Sequence, residues 1–162
     1  MVATPENYDF ARAPKLFDQE VCKGHIKGRY QDFVVREKLG FVPSGDGEHV
    51  YLRILKIGLS TGYVREQLAK FSGRPLRDIG YSGLKDRNAK TEQWLSVYLP
   101  GTDGIDWQSF EGHIKRELVD PQSALSATEV IRHNKKLRVG AHRDNEFEIV
   151  VSVNKDDWAD NK

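Results

Sequence analysis

Residues 81–94 read Tyr-Ser-Gly-Leu-Lys-Asp-Arg-Asn-Ala-Lys-Thr-Glu-Gln-Trp, a charged loop that leads directly into an aromatic, strand-like segment. In this loop Asp86 stands between two cations, Lys85 and Arg87. Positive neighbours favour the ionised form of a carboxylate, which is the form that a nucleophile or a general base requires. Composition alone, however, favours an ordinary turn with solvated charges, because charged loops are common on protein surfaces.

The segments before this loop have the patterns of strands and of one helix. An apolar run at residues 33–35 and an alternating pattern at residues 49–57 predict two strands. The second has apolar residues on both faces, which indicates a strand buried on each side. Ser60 or Thr61 can cap a helix over residues 62–71, where apolar side chains recur on one face.

Further strands are predicted at residues 79–81, 93–99, 137–139 and 146–153, whereas residues 118–128 have no clear pattern. Strands therefore outnumber helices, and several of them are joined by short turns. We expect an α+β fold with a mixed, mainly antiparallel sheet and few helices.

The composition of the 162-residue chain, 38% hydrophobic and 30% charged, fits one soluble globular domain. No apolar run approaches the roughly 18 residues that a membrane-spanning helix needs. One cysteine, Cys22, indicates a reducing compartment, and the five histidines lack metal-ligand spacing. We therefore expect a cytoplasmic protein with no cofactor, no metal and no membrane contact.

Positive charge is concentrated between Arg132 and Arg143, where five of twelve residues are Lys or Arg and none is acidic, although the net charge is only +1. Acids collect elsewhere, for example at Asp103, Asp156 and Asp157. A local basic segment is able to contact phosphate groups. A solvated hairpin accounts for the same residues equally well.

Taken as a whole, the string at residues 81–94 closely resembles the signature of the D family of tRNA pseudouridine synthases, the TruD family. In that family a Gly-x-Lys-Asp-x-x-Ala-x-Thr-Glu-Gln run carries the catalytic aspartate. The resemblance extends to residues 31–35, 47–49, 68–71 and 132–147, and so covers most of the chain. It implies a pseudouridine synthase catalytic domain.

The resemblance implies an isomerase that detaches uracil from ribose, rotates it and rejoins it through carbon, without a cofactor. Asp86 would be the catalytic carboxylate, acting as a nucleophile or as a base. Lys27 would hold it ionised, although the residues alone indicate a solvated lysine.

The implied substrate is uridine 13 of tRNA, which must leave its stack to be reached. Phe147 would stack on the uracil, Asn145 would bond its edge, and Phe33 would line the pocket. Core packing also fits both phenylalanines, and a turn fits the asparagine. Contacts to the RNA would come from seven basic residues, namely Lys85, Arg87, Arg132, His133, Lys135, Lys136 and Arg138.

The resemblance implies that family members are about twice as long as this chain. The resemblance therefore implies that residues 1–162 are the N-terminal portion of the catalytic domain, without the family's insertion domain and C-terminal strands. A sheet that stops there would expose strand edges, which favour self-association.

Two other functions compete with this interpretation. The first is a non-catalytic RNA-binding fragment, in which the basic segment binds and Asp86 is idle. The second is a carboxylate-based hydrolase, which would need a second acid opposite Asp86. Glu92 is the only candidate close in sequence, and it lies within the family string, so the synthase is the favoured function.

Overall fold

The computed structural model of the protein describes residues 23–101 and 104–153. Four residues discussed above lie outside the described residues, namely Cys22, Asp103, Asp156 and Asp157.

The described residues belong to two compact units. In the smaller unit, strands β1 (Gly24–His25) and β8 (Ser152–Val153) form a short antiparallel pair. The larger unit comprises residues 26–151 and contains the main sheet, together with every residue of the candidate site.

The main sheet is built, within the described residues, from β2 (Phe33–Leu39), β3 (His49–Ile57), β4 (Ile79–Tyr81), β5 (Lys90–Tyr98), β6 (Ala124–His133) and β7 (His142–Ile149). The strand order is β6-β3-β5-β2-β7, and β4 pairs with the second half of β5. Strands β2 and β5 run parallel, whereas the other pairs are antiparallel. The predicted α+β fold with a mixed, mainly antiparallel sheet is confirmed.

Helix α1 (Thr61–Ser72) lies within a residue of the predicted helix at each end. The Ser60 hydroxyl caps it by accepting a hydrogen bond from Tyr63 N at 3.1 Å. Gly73 ends it with a φ of 64°, a left-handed conformation that glycine adopts without strain.

The hydrophobic core lies between one face of the sheet and two helices, α1 and the shorter α2 (Phe110–Lys115). Its fully buried side chains come from both layers and include Leu52, Ile54, Leu95, Val64, Leu68, Phe110 and Ile114. Burial of each side chain of this size contributes roughly 1.5–3 kcal/mol. The sheet is therefore firmly held on the face that also supports the Asp86 loop.

Strand β3 is fully buried on one face. Val50, Leu52, Ile54 and Lys56 are at most 2% exposed on the core face. On the opposite face Tyr51 is buried, but the alternate residues after it are half-buried. Tyr51 is buried because Leu137, from a distant loop, packs against it. For the rest of this face the expectation of burial is wrong.

The predicted strand at residues 137–139 is wrong, because this segment is irregular. Leu137 is apolar for another reason: it packs with Tyr51 and Trp94, and its N–H donates to Ser96 Oγ at 3.0 Å. The segment is a loop anchored on the sheet by one buried side chain.

Strand β6 covers part of the segment that the sequence left unassigned. All its residues except Leu125 are exposed or half-buried, because it forms one edge of the sheet. A bulge at Thr128, between the paired residues Ala127 and Glu129, also interrupts its alternation. An exposed, bulged strand has no clear hydrophobic period.

The boundaries of three strands differ from the sequence prediction: β2 continues to Leu39 and not to residue 35, and β7 ends at Ile149 and not at residue 153. Strand β5 begins three residues earlier than predicted, at Lys90, and β7 begins four residues earlier, at His142. Asn145 therefore lies inside β7 and not in the turn before it. Strands β6 and β7 are the first and the last strands in the order of the main sheet.

In the part of the chain that the structure describes, no helix is long and apolar enough to cross a membrane.

Candidate active site

The loop between β4 and β5 presents Asp86 to solvent, with 51% of its side chain exposed. Ala89 anchors the end of this loop, since it is fully buried in a cluster with Phe33. Its N–H donates to Arg87 O at 2.9 Å, and its carbonyl accepts from Gly58 N at 3.4 Å. An exposed carboxylate is thus carried by a loop with a buried end.

Lys27 approaches Asp86 from 59 residues away along the chain. Its Nζ lies 3.4 Å from Asp86 Oδ2 and 4.1 Å from the centre of the Phe33 ring, in cation–π geometry. The backbone of Lys27 has a φ of 60°, which costs a non-glycine residue roughly 1 kcal/mol or more. The structure thus brings together both residues predicted to be catalytic.

The paired strands β2 and β7 bring Phe33 and Phe147 into edge-to-face contact, with ring centres 6.1 Å apart. Phe33 is 8% exposed, whereas Phe147 is 57% exposed. Core packing therefore accounts for Phe33 but not for Phe147. An exposed aromatic ring beside this cluster is a surface on which a nucleobase is able to stack.

Asn145 lies on the same face of β7 as Phe147, because side chains two residues apart on a strand share a face. It stands opposite Glu37 of β2. Its Oδ1 atom is buried and has no hydrogen-bond partner among the described residues. A buried acceptor without a partner is costly to maintain, so this atom is suited to receive a donor from a ligand.

Lys85 lies beneath the loop. Its Nζ is 2.6 Å from Glu37 Oε2, and the two side chains are 5% and 0% exposed. Glu37 Oε1 also accepts a hydrogen bond from Trp94 N at 3.1 Å. This placement differs from the expected phosphate contact, because the ammonium group of Lys85 is turned towards a buried carboxylate and away from solvent.

A chain of side-chain hydrogen bonds links the loop to helix α1. Thr61 Oγ1 donates to Gln93 Oε1 at 2.9 Å and accepts from Lys85 N at 3.0 Å. Gln93 Nε2 in turn donates to Gly83 O at 2.7 Å. The backbone of Gly83 and that of Lys85, just before Asp86, are therefore each held by a buried polar side chain.

Lys56 holds Asp86 itself, through the backbone. Its fully buried ammonium group donates to Asp86 O and to Leu59 O, each at 2.8 Å. Burial lowers the pKa of Lys56 to about 8; the charge of Asp86 raises it, and that of Lys85 lowers it further. The cost of burying this lysine is offset because its ammonium group donates to two carbonyl groups, those of Leu59 and Asp86.

Two of the basic residues predicted to bind RNA make contacts to backbone carbonyl groups. The guanidinium group of Arg132 donates to Gly47 O at 2.7 Å and to Leu99 O at 3.0 Å. Lys136 Nζ donates to Arg77 O. Both side chains therefore tie loops to the sheet.

The remaining members of this predicted set lie at two separate places. Arg87 is exposed next to Asp86, and its Nε lies 3.4 Å from Gly58 O. His133, Lys135 and Arg138 line a cavity beside Tyr51, on the sheet face opposite the core. The structure thus brings Arg87, but not the basic segment, close to the Asp86–Lys27 pair.

Four supporting residues were missed at the sequence level, namely Glu37, Lys56, Thr61 and Gln93. For two of them a signal existed: Lys56 ends an apolar face of β3, and Glu37 follows Phe33 and Val35 on one face of β2. A charged residue in an otherwise apolar stripe indicates a buried pair. Within residues 23–101 and 104–153, no cluster of three His, Cys, Asp or Glu side chains could hold a metal ion.

Comparison with known proteins finds similarity to one family. The family model for tRNA pseudouridine synthase D (TruD) matches residues 14–162. A solved structure from Methanosarcina mazei, provisionally named a tRNA pseudouridine synthase D (TruD), has the same fold, with a TM-score of 0.60 and 21% identity. That similarity covers 80% of this chain and 27% of the other.

Curated relatives are closer in sequence. The chain is 44% identical over 136 residues to a tRNA pseudouridine synthase D of Pectobacterium atrosepticum, which covers 84% of this chain and 36% of the relative. With a tRNA pseudouridine synthase D of Methylococcus capsulatus it shares 36% identity over 151 residues, or 93% of this chain and 40% of the relative. The chain spans little more than a third of the length of these relatives. It belongs to the tRNA pseudouridine synthase D (TruD) family.

Proposed function

We propose that this chain carries the catalytic aspartate of a tRNA pseudouridine synthase, with uridine 13 of tRNA as the target. The observation that carries the proposal is the meeting of Asp86, Lys27, Phe33 and Phe147, which come from four separate segments of the chain.

The reaction requires no cosubstrate. The bond between ribose C1′ and uracil N1 breaks, a bond between C1′ and C5 forms, C5 loses its proton and N1 gains one. Asp86 acts as a nucleophile towards the sugar or the base, or as a base towards C2′. Lys27, at 3.4 Å, balances its charge as the glycosidic bond breaks.

The flipped uracil stacks on the exposed ring of Phe147, beside Phe33. Asn145 bonds the base edge, since uracil N3–H is a donor suited to the unpartnered Oδ1 atom. A cavity of about 360 Å³, lined by Lys27 and Asn88 among others, adjoins the catalytic pair and accommodates the ribose and its phosphate. Arg87 supplies a further exposed positive charge beside it.

The test is tritium release from unmodified tRNA that carries uridine labelled at carbon 5. The wild-type chain should release tritium, and Asp86→Asn should lower the rate by at least about 10³-fold, because the amide cannot act as nucleophile or base. Asp144→Asn is the matched control, since its side chain is 50% exposed and also paired with a neighbouring arginine.

Equal release by Asp86→Asn and the wild type would overturn the assignment of Asp86. Binding of tRNA without any release would favour the alternative of a non-catalytic RNA-binding fragment.

A further inference from the structure

A second cavity, of about 860 Å³, lies on the sheet face opposite the core, away from Asp86. This volume lies within the range of small-molecule binding pockets. Aromatic rings and cations line it, and no carboxylate is among the lining residues. The residues that matter here are Phe41, Tyr51, His133, Asn134, Lys135 and Arg138.

Three rings form the apolar part of this cavity. Phe41 and His133 are stacked, with ring centres 5.2 Å apart and an interplanar angle of 24°. Tyr51 lies beneath them and meets both rings edge-on, at 6.3 Å from Phe41 and 4.9 Å from His133. Tyr51 is 1% exposed, whereas Phe41 is 37% exposed, so Phe41 offers its ring to a ligand.

The His133 ring is held in place by a hydrogen bond, and its surroundings favour the neutral form. Ser44 N donates to its Nδ1 at 3.1 Å, which leaves the ring proton on Nε2. Burial lowers its pKa, and the charge of Lys135 lowers it further. A neutral imidazole stacks on a nucleobase without the cost of desolvating a charge.

The polar rim of the cavity has the groups that bind a nucleotide. Lys135 and Arg138 are exposed cations, and Asn134 is an exposed amide. The Tyr51 hydroxyl donates to Lys135 O at 3.0 Å, so the rim is tied to the aromatic floor. Cations suit phosphate groups, and an amide suits the edge of a base.

We propose that this cavity binds one unstacked nucleotide of an RNA strand, with its base against Phe41 and His133 and its phosphate near Lys135 and Arg138. The proposal rests on the proposed function, which makes RNA the ligand. It gives the chain a second RNA contact, on the sheet face opposite the catalytic pair.

The test is tRNA binding by fluorescence anisotropy over a salt series, with circular dichroism and thermal unfolding to check each variant. Phe41→Leu should weaken binding about 10-fold at every salt concentration, because stacking is lost but charge is kept. Phe41→Trp should bind tRNA with about wild-type affinity, because it keeps an aromatic ring at this position. Lys135→Ala should lower the slope of log K against log salt by about 1, whereas the exposed Lys70→Ala on α1 should leave binding unchanged.

A folded Phe41→Leu variant with wild-type affinity would overturn the proposal. A second measurement does not need a variant: tRNA that contains 4-thiouridine is cross-linked to the wild-type chain, and the attached peptides are mapped. Cross-links to peptides with Phe41 or His133 support the cavity, and cross-links confined to the Phe33 and Phe147 side overturn it, as does a failure to bind tRNA.

Two further measurements are needed. One distinguishes an RNA strand from a free mononucleotide as the ligand, and the other distinguishes this proposal from the proposed function. Loss of these cross-links when a short single-stranded oligonucleotide is added before irradiation supports the RNA proposal, whereas their loss with free uridine 5′-monophosphate at lower concentration would overturn it in favour of a mononucleotide site. Asp86→Asn should keep the Phe41-dependent binding. Loss of tritium release with this binding intact therefore distinguishes the two proposals.

Discussion

At the scale of single residues, the lysines of this chain have separate tasks that their burial decides. Lys56 is fully buried and supports the Asp86 backbone, and Lys85 is buried against Glu37. Lys27 is one-third exposed and reaches the Asp86 carboxylate. Two lysines thus hold the loop from beneath, while a third is paired with the Asp86 carboxylate.

Lys56 should make the stability of the protein depend on pH. Burial lowers its pKa from 10.5 to about 8, so between these values the unfolded chain binds a proton that the folded chain has released. The free energy of unfolding should therefore rise as pH increases through this window, by at most about 3 kcal/mol. Urea unfolding from about pH 7 to about pH 10 measures the effect.

Lys56→Met is the control for this effect, because methionine has a similar length and no titrating group. The rise in the free energy of unfolding with pH should be absent from the variant. The difference between the two pH profiles therefore gives the contribution of Lys56. Parallel pH profiles for wild type and variant would contradict the assigned burial of the charge.

At the scale of elements, the N-terminus of α1 sets the position of the Asp86 loop. Ser60 caps the helix, and the next residue, Thr61, joins Gln93 of β5 to the backbone of Lys85. The helix, the central strand and the loop therefore form one hydrogen-bonded unit. A change that loosens the helix should also loosen the loop.

Alanine at Gly62, inside α1, and at Gly73, directly after α1, should change the free energy of unfolding in opposite directions. Gly73→Ala should lower the free energy of unfolding by about 1 kcal/mol, because the C-terminal glycine has a φ of 64°. Gly62→Ala should raise it by about 0.5–1 kcal/mol, because this position is helical and an added Cβ meets nothing closer than 3.8 Å. Chemical denaturation of both variants checks the prediction, and the same sign for both would refute it.

At the scale of the whole molecule, the main sheet of the larger unit separates the Asp86 loop from the cavity beside Tyr51. The helices and the Asp86 loop lie on one face, and the cavity beside Tyr51 lies on the other. The segment that carries Lys135 and Arg138 is held to the sheet by Leu137 and by a hydrogen bond of 2.7 Å from Gly140 N to Ser82 O. The basic segment and the Asp86 loop are thus attached to the same sheet.

The basic segment packs closely on the sheet at Gly80. A Cβ at this position would lie 2.4 Å from Leu137 O and 2.4 Å from Ser96 Oγ. Gly80→Ala should therefore cost about 1–3 kcal/mol and speed hydrogen exchange at residues 134–140. Gly104→Ala, where an added Cβ meets open space, should change stability by less than about 0.5 kcal/mol. Unchanged stability and exchange in Gly80→Ala would contradict this packing.

Sequence patterns predicted those elements that are defined by local periodicity. Helix α1 and strands β2 to β5 follow from alternating or helical spacing and from local caps, so each was placed to within a few residues. Residues 137–139 were misassigned and β6 was missed, because a buried anchor and a bulged edge strand depend on partners far away in sequence.

The sequence by itself determined the family of this protein and the loop that carries Asp86, because both are written in a contiguous string of residues. The tertiary structure decided which cation does what. A lysine has the same local signature whether it is solvated, buried under a loop or paired with a carboxylate. The difference arises from partners such as Glu37 for Lys85 and Asp86 for Lys27, which only the folded chain brings within a few ångströms.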